Sequence, residues 1–283
     1  MPAFLFILSC IRSNIKIMSS KKISYTSLLL TILSAPLYAD TSIEALAKLR
    51  YFNYEEFDLS GRSLNKETGV IPGGALTLSN TQGQLTNVYA FEVYDGRVDY
   101  DGHTQSGTPH QTKTDETQYF LSYKLKWTDS ENKNAVYSKI GWQNWDRYIR
   151  PDSGVAGLFE RYQWWQFEAG IQASLFKEEG RELTAELAVL KTSHGTIEVN
   201  LSDFGYGIPE LNLDGRSGVN TTLQYKVAIK QNSSIQFSLH YNRWEFGRSN
   251  SQTLSNGVTQ ITIVEPRSVS QMSTLSVGYV YLF

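Results

Sequence analysis

The chain has 283 residues, a net charge of −2 and an aromatic content of 13%. A charge so close to zero gives no indication of a nucleic-acid partner, and the length allows one or two domains. The mean hydropathy is only −0.32 although 17 residues are tyrosine. This combination is not typical of a helical membrane protein, and it suits strands in which apolar and polar residues alternate.

Residues 1–39 are predicted to be an N-terminal extension plus a signal peptide, both removed from the mature protein. Lys21 and Lys22 precede an apolar run that closes on small Ala39, which is the order of a secretory signal. Met18 is the predicted true start, and the alternative is that the residues before it are genuine.

Residues 40–283 are predicted to form a single domain, because they contain no tandem repeat, low-complexity tract or linker. The one cysteine, Cys10, lies ahead of this domain. The domain therefore offers no disulfide and no thiolate metal site. It also lacks the run of about 20 apolar residues that a transmembrane helix needs.

Apolar and polar residues alternate along most of the domain, and this period of two predicts β-strands. In 118–127, for example, one face carries Tyr119, Leu121, Tyr123, Leu125 and Trp127. The predicted strands are 44–57, 73–80, 85–100, 116–128, 135–148, 161–176, 183–190, 217–229, 234–246 and 264–283. Such alternation is also found in a soluble β-sandwich.

Three features favour a membrane barrel over the sandwich. Most segments are longer than the usual soluble strand of about 5–6 residues. Short and long connections alternate, as short periplasmic turns and long outside loops do in outer-membrane barrels. The predicted long loops are 60–72, 96–114, 150–159, 191–216 and 247–263. Aromatic residues lie near both ends of the strands, where membrane interfaces are expected. They include Trp127, Phe176 and Phe283 at one end and Trp142, Trp145, Trp165 and Trp244 at the other.

The last segment carries Val277, Tyr279, Tyr281 and Phe283 at alternate positions. In this the chain resembles the Gram-negative outer-membrane β-barrel proteins, whose final strand ends in phenylalanine after alternating apolar residues. The resemblance implies that these residues are read by the barrel-assembly machinery and that the final strand closes the ring against the first. Closure is also required physically, because every backbone group in hydrocarbon must be paired.

The predicted fold is therefore all-β: a closed antiparallel transmembrane β-barrel of about ten strands, with eight or twelve left open. It is expected in the cell outer membrane, in contact with outer-membrane lipids. Charged residues fall on the face opposite the lipid, where they predict either an interlocking ion network that fills the lumen or an ion path. They are Lys48, Arg50, Glu92, Lys124, Lys126, Lys139, Arg147, Glu168, Glu186 and Lys226.

Asp99, Asp101 and His103 lie in one short segment. Their pattern resembles that of the omptin surface proteases, ten-stranded barrels in which an Asp pair and an Asp–His pair face each other across the mouth. Here all three residues share one segment and no second pair is found, so the sequence favours a solvated acidic loop.

His240 and Ser238 are predicted on one inward face, but same-face neighbours on a strand lie about 7 Å apart. This is too far for a base to activate a nucleophile directly. Ser193 and His194 adjoin in the sequence without an identifiable orienting acid. No catalytic residue, metal site or cofactor is therefore predicted.

The loop 191–216 is unusually apolar. It is expected either to fold over the mouth or to extend its strand above the membrane, and its candidate binding surface comprises Phe204, Tyr206, Ile208 and Leu211. The sequence thus favours a non-enzymatic surface protein with a side-chain-filled lumen, whose loops bind an extracellular ligand or partner. The alternatives are a small porin or ion channel and an outer-membrane hydrolase.

Overall fold

The computed structural model of the chain describes residues 41–103, 107–131, 133–152 and 154–283. The predicted signal peptide lies outside the described residues. In this part of the chain no helix is long and apolar enough to cross a membrane. The strands are β1 Thr41–Phe57, β2 Ser63–Gln82, β3 Leu85–His103, β4 Pro109–Thr128, β5 Asn134–Ile149, β6 Leu158–Glu178, β7 Arg181–Asn200, β8 Glu210–Gly215, β9 Ser217–Lys230, β10 Ser233–Gly247, β11 Gln252–Ser255, β12 Gln260–Ile263 and β13 Arg267–Leu282.

Ten of these strands form a closed antiparallel ring. The order around the ring is β1-β2-β3-β4-β5-β6-β7-β9-β10-β13, and β13 returns to pair with β1 from Leu282↔Ser42 to Arg267↔Phe57. Short β8 is added where β7 and β10 extend beyond β9, and β11 and β12 form a separate hairpin. The predicted ten-stranded closed barrel is confirmed.

The barrel strands are longer than predicted at their outer ends. β2 begins at Ser63 and β7 runs to Asn200, so most of the predicted loops 60–72, 96–114 and 191–216 is strand. A strand of 20 residues is about 66 Å long, whereas about 9–11 residues cross a membrane. The four turns at the other end are short, as predicted, and Gly83 and Gly180 supply positive φ there. The barrel therefore extends well beyond the membrane on its outer side.

The outward face of the ring carries a belt of exposed apolar side chains, to which each of the ten strands contributes. The belt includes Leu49, Leu76, Phe91, Leu121, Ile140, Phe167, Leu187, Leu223, Leu239 and Leu275. Trp127 and Trp165 also face outward. Trp145 and Trp244, which were expected at the membrane interface, are instead buried in the lumen, because each has the parity of the inward-facing residues of its strand.

Candidate functional site

In the membrane-spanning half of the lumen, the predicted charges pair with one another. Lys48 Nζ lies 2.7 Å from Glu92 Oε2. Arg50 donates to Gln118 Oε1 at 2.7 Å, and its guanidinium lies 3.5 Å from the ring centroid of Tyr94. These contacts join β1, β3 and β4 across the interior.

A second set of contacts lies in the same lumen. Lys124 Nζ lies 3.0 Å from Glu186 Oε2, and Lys139 Nζ lies 3.2 Å from Glu168 Oε1. The other oxygen of Glu168 accepts a hydrogen bond from Asn220. Each of these lysines thus has a carboxylate partner, as buried charges require.

The remaining predicted charges of this half have mainly polar neighbours. Lys126 donates to Gln172 Oε1 at 3.4 Å. Lys226 on β9 stands in register with Glu182 of β7 and Gln236 of β10. This end of the lumen is the more polar one.

Above the charges, buried aromatic rings fill the lumen. Trp145 stacks on Tyr162 with a centroid distance of 4.8 Å, and Trp164 meets Phe246 edge-on at 5.4 Å. The layer comprises Phe52, Tyr54, Tyr94, Trp145, Tyr162, Trp164, Trp244 and Phe246. With side chains at most 2% exposed, it forms a hydrophobic core inside the ring.

Arg147 lies at the outer boundary of this layer and is itself buried. Its Nη2 lies 2.9 Å from Glu67 Oε1, and its Nη1 donates to Glu160 Oε2 at 2.7 Å and to the Tyr162 hydroxyl at 2.8 Å. The guanidinium also lies 4.6 Å from the ring centroid of Tyr54. One arginine thus connects strands β1, β2, β5 and β6.

Glu265 reaches the same place from the segment that joins β12 to β13. Its Oε1 accepts a hydrogen bond from the Tyr162 hydroxyl at 2.7 Å and lies 3.2 Å from the Tyr54 hydroxyl. Its backbone N–H donates to Ser249 Oγ. Burial, reinforced by the charges of Glu56 and Glu160, raises the pKa of Glu265 well above its ordinary value.

Five buried carboxyl groups surround Arg147, and we call them the carboxyl cluster: Glu56, Glu67, Glu116, Glu160 and Glu265. Glu116 accepts a hydrogen bond from the Trp145 indole. Within the part of the chain that the structure describes, Glu67 Oε2 and Glu116 Oε1 have no hydrogen-bond partner. One guanidinium cannot balance five carboxylates in a medium where unpaired charge is costly. Simultaneous ionisation of all five groups is therefore unfavourable.

Sequence reasoning found Arg147 and missed the carboxyl cluster. The alternation of inward and outward residues could have identified Glu56, Glu116 and Glu160. Each lies an even number of residues from a predicted inward charge on its own strand. Glu67 fell in a predicted loop. Glu265 fell in the predicted strand 264–283 at a position that would face outward like Leu275, whereas in the structure it lies before β13. Among the described residues, no group of three His, Cys, Asp or Glu side chains is arranged to hold a metal ion.

The acidic segment of β3 lies on the outside of the barrel. Asp99 pairs with Lys113, Asp101 Oδ1 accepts from Gln111, and His103 contacts the carbonyl oxygen of Leu64. These outward, exposed positions do not converge with the lumen residues.

The serine and histidine candidates do not form a catalytic triad among the described residues. His240 Nδ1 lies 2.9 Å from Thr222 Oγ1, and Ser238 Oγ bonds to Ser276 Oγ at 2.5 Å. Ser193 and His194 do contact each other at 2.9 Å. However, the structure adds no carboxylate contact to either histidine among the described residues.

The loop 191–216 forms a hairpin in which the outer end of β7 pairs with β8. Phe204 and Ile208 are 47% and 59% exposed near its tip, whereas Leu211 is 1% exposed and packs in the core. Leu211 is therefore not part of a surface. The Tyr206 hydroxyl lies 2.6 Å from Thr259 Oγ1, so this tip is bonded to the tip of the β11–β12 hairpin.

The four alternating residues at the end of the chain, three of them in β13, face outward. Val277, Tyr279, Tyr281 and Phe283 are between 41% and 49% exposed. The rings of Tyr281 and Phe283 meet edge-on at 5.1 Å. They continue the apolar belt to the periplasmic end of the barrel.

No family model matches the chain, and no curated protein sequence matches it. Among solved structures, it is similar to the outer membrane protease OmpT from Escherichia coli, with a TM-score of 0.58 and 12% identity over 88% of this chain and 99% of that one. It is also similar to the outer membrane protein OprG from Pseudomonas aeruginosa, with a TM-score of 0.41 and 11% identity over 87% and 96% of the two chains. The chain has the fold of the Gram-negative outer-membrane β-barrel proteins. At these identities the similarity shows the fold alone.

Proposed function

We propose that the chain is a non-conducting outer-membrane surface protein whose outer end binds an extracellular ligand or partner. The observation that carries the proposal is the filled lumen, where the aromatic layer and the carboxyl cluster follow each other along the barrel axis. A barrel of eight strands is just wide enough to be filled by side chains, and an aqueous channel needs about 16. Ten strands are closer to the filled case.

The joined hairpin tips support the binding part of the proposal. Phe204 and Ile208 are exposed on one tip, and Val258 on the other is 90% exposed. Exposed apolar groups on a rigid scaffold are typical of binding surfaces. The contact between Tyr206 and Thr259 holds the two tips together, so they present one surface.

The lumen is tested by conductance of refolded residues 40–283 in a planar bilayer, with a heat-shifted gel band as proof of folding. The native protein is expected to show no conductance. Trp145→Gly combined with Trp164→Gly removes two rings of the aromatic layer and should allow ion leakage. Stable conductance steps from the native protein would instead support the channel alternative.

Binding is tested by displaying the protein on Gram-negative cells and measuring adhesion to arrays of glycans and extracellular-matrix proteins. Phe204→Ser with Ile208→Ser should abolish any adhesion that the native protein confers. Tyr148→Ser removes an aromatic side chain that is 40% exposed near the outer end of β5 and serves as the matched control. If the double variant still adhered, the tips would have no binding role. The same conclusion would follow if the native protein conferred no adhesion.

We further propose that Val277, Tyr279, Tyr281 and Phe283 are recognised by the barrel-assembly machinery during insertion. Their outward position leaves the side chains free for such contact. Phe283→Ser should lower the amount of barrel in the outer membrane without preventing spontaneous refolding in detergent. Loss of both would point to a folding defect instead.

A further inference from the structure

A cleft of about 640 Å³ lies at the outer end of β10 and β13, and arginines from four parts of the chain line it. Arg62 comes from the β1–β2 turn, Arg216 from between β8 and β9, Arg248 from the end of β10, and Arg267 from the start of β13. We call this site the arginine cleft. It is separate from the hairpin tips, since neither Phe204, Ile208 nor Val258 lines it.

The lining of the arginine cleft has a surplus of positive charge. Asp58 is the single carboxylate among the lining residues, against four guanidinium groups. Arg62 pairs with Asp58 at 2.9 Å, and Arg267 pairs with Glu245 at 2.9 Å. Exposed Arg248 has no ion-pair or hydrogen-bond partner among the residues that the structure describes.

The paired arginines keep capacity for a ligand. Each guanidinium carries five N–H donors, and the pair of Arg216 with Asp214 joins Nη2 to a single carboxylate. Both side chains of this pair are more than half exposed. Guanidinium groups with free donors bind phosphate, sulfate or carboxylate oxygens in a forked geometry.

Local contacts hold the arginines in place before any ligand arrives. Hydrogen bonds from Ser60 and Arg62 lower the pKa of Asp58 below its usual range, so Asp58 remains an anion beside Arg62. The Arg267 guanidinium lies 5.2 Å from the ring centroid of Phe57. A Cβ on Gly247 would overlap Asp214 Oδ2 and would also meet Arg216 Nε at 2.9 Å, so glycine there lets the Arg216–Asp214 ion pair lie close to the backbone.

We propose that the arginine cleft binds a ligand bearing two or more clustered phosphate or sulfate groups, presented from outside the bilayer. The height of the site favours this source. Phe57 pairs with Arg267 six residues beyond the pair Tyr51↔Ser273, and Tyr51 is half exposed in the apolar belt. Six residues span about 20 Å of strand, which at a barrel tilt of about 35–45° is a rise of about 15 Å, while the headgroup region is only about 5–8 Å thick on each side. The phosphates of bilayer lipids therefore lie below the cleft.

The test is titration calorimetry with tripolyphosphate on the refolded full barrel in nanodiscs of zwitterionic lipid, at low salt. The native protein should bind, and binding should weaken as salt increases. Arg248→Gln and Arg267→Gln should each weaken binding about tenfold, since each removes a charged donor. The controls are Arg97→Gln and Arg150→Gln. Both arginines form ion pairs with Asp115 on another face of the barrel, so these variants should leave binding unchanged.

The same titration in nanodiscs that contain phosphatidylglycerol distinguishes the two sources of phosphate. Unchanged affinity supports a ligand from outside the bilayer, and competition by the lipid would overturn that assignment. Absence of binding to the native protein, or equal loss in the control variants, would overturn the site. Gly247→Ala gives a second route, because it displaces the Arg216–Asp214 ion pair without removing a charge and should also weaken binding. A heat-shifted band must accompany every variant.

Discussion

Arg147 and Glu67 stand 80 positions apart in the sequence and form a buried ion pair of 2.9 Å across the outer lumen. Arg147 is the cation at the centre of the carboxyl cluster. The pair joins strands β2 and β5, which are not neighbours in the ring. Together with the aromatic layer below it, this contact keeps non-neighbouring strands of the barrel together where no lipid surrounds them.

Replacing Arg147 with alanine should destabilise the barrel by about 3–5 kcal/mol, because it leaves buried carboxyl groups without their cation. The measurement is the free energy of unfolding from guanidinium titration of the refolded protein. Arg97→Ala removes an arginine that is 50% exposed and should cost less than about 1 kcal/mol. Equal losses in the two variants would show that Arg147 does not organise the cluster.

Raising the pH should loosen the segment that carries Glu265. Folding raises the pKa of this carboxyl group, so its stabilising effect is complete below the ordinary glutamate pKa of about 4.3. It is lost as the pH rises through the raised folded-state value. Hydrogen exchange of residues 248–266, corrected for the intrinsic rate, should therefore show falling protection with increasing pH.

Glu265→Gln keeps the shape and removes the titration, so protection of that segment should become nearly independent of pH. Exposed Glu210 on β8 provides the control, and Glu210→Gln should retain the native pH dependence. A native profile that is flat from pH 5 to 9 would contradict the assignment.

Two adjacent glycines on β2 should differ in how strongly substitution by alanine destabilises the barrel. A Cβ at Gly73 would overlap the ring of Tyr94 inside the lumen, whereas at Gly74 the nearest atom is the carbonyl oxygen of Leu46 at 3.4 Å. Gly73→Ala should cost about 1–3 kcal/mol through overpacking, and Gly74→Ala should be nearly neutral. Denaturant midpoints measure both, and similar values would mean that the lumen near Tyr94 is loosely packed.

Two outward-facing residues of β4 test which part of this strand lies in the membrane. Leu121 and Gln111 both face outward, but only Leu121 lies in the apolar belt. Leu121→Arg should cost about 2–4 kcal/mol in a lipid bilayer, whereas Gln111→Arg lies beside Asp101 above the membrane and should be tolerated. Equal effects in liposomes would contradict this placement.

The sequence by itself determined the architecture within the membrane. Lipid on one side and a polar lumen on the other impose a period of two. The alternation therefore predicted about ten strands, their short turns and the inward charges such as Lys48 and Glu92. The same constraint required the final strand to pair with the first. The physical reason is that each inward or outward choice is local and is repeated at every second residue.

Only the tertiary structure decided what happens beyond the membrane. There water surrounds the barrel, so outward positions such as Asp95, Arg97 and Asp99 are polar and the alternation disappears, which made long strands resemble loops. The alternation placed Arg147 inside but did not show which carboxyl groups would meet it. The carboxyl cluster and the arginine cleft each combine residues from distant parts of the chain, and such contacts are set by barrel closure and strand register rather than by local pattern.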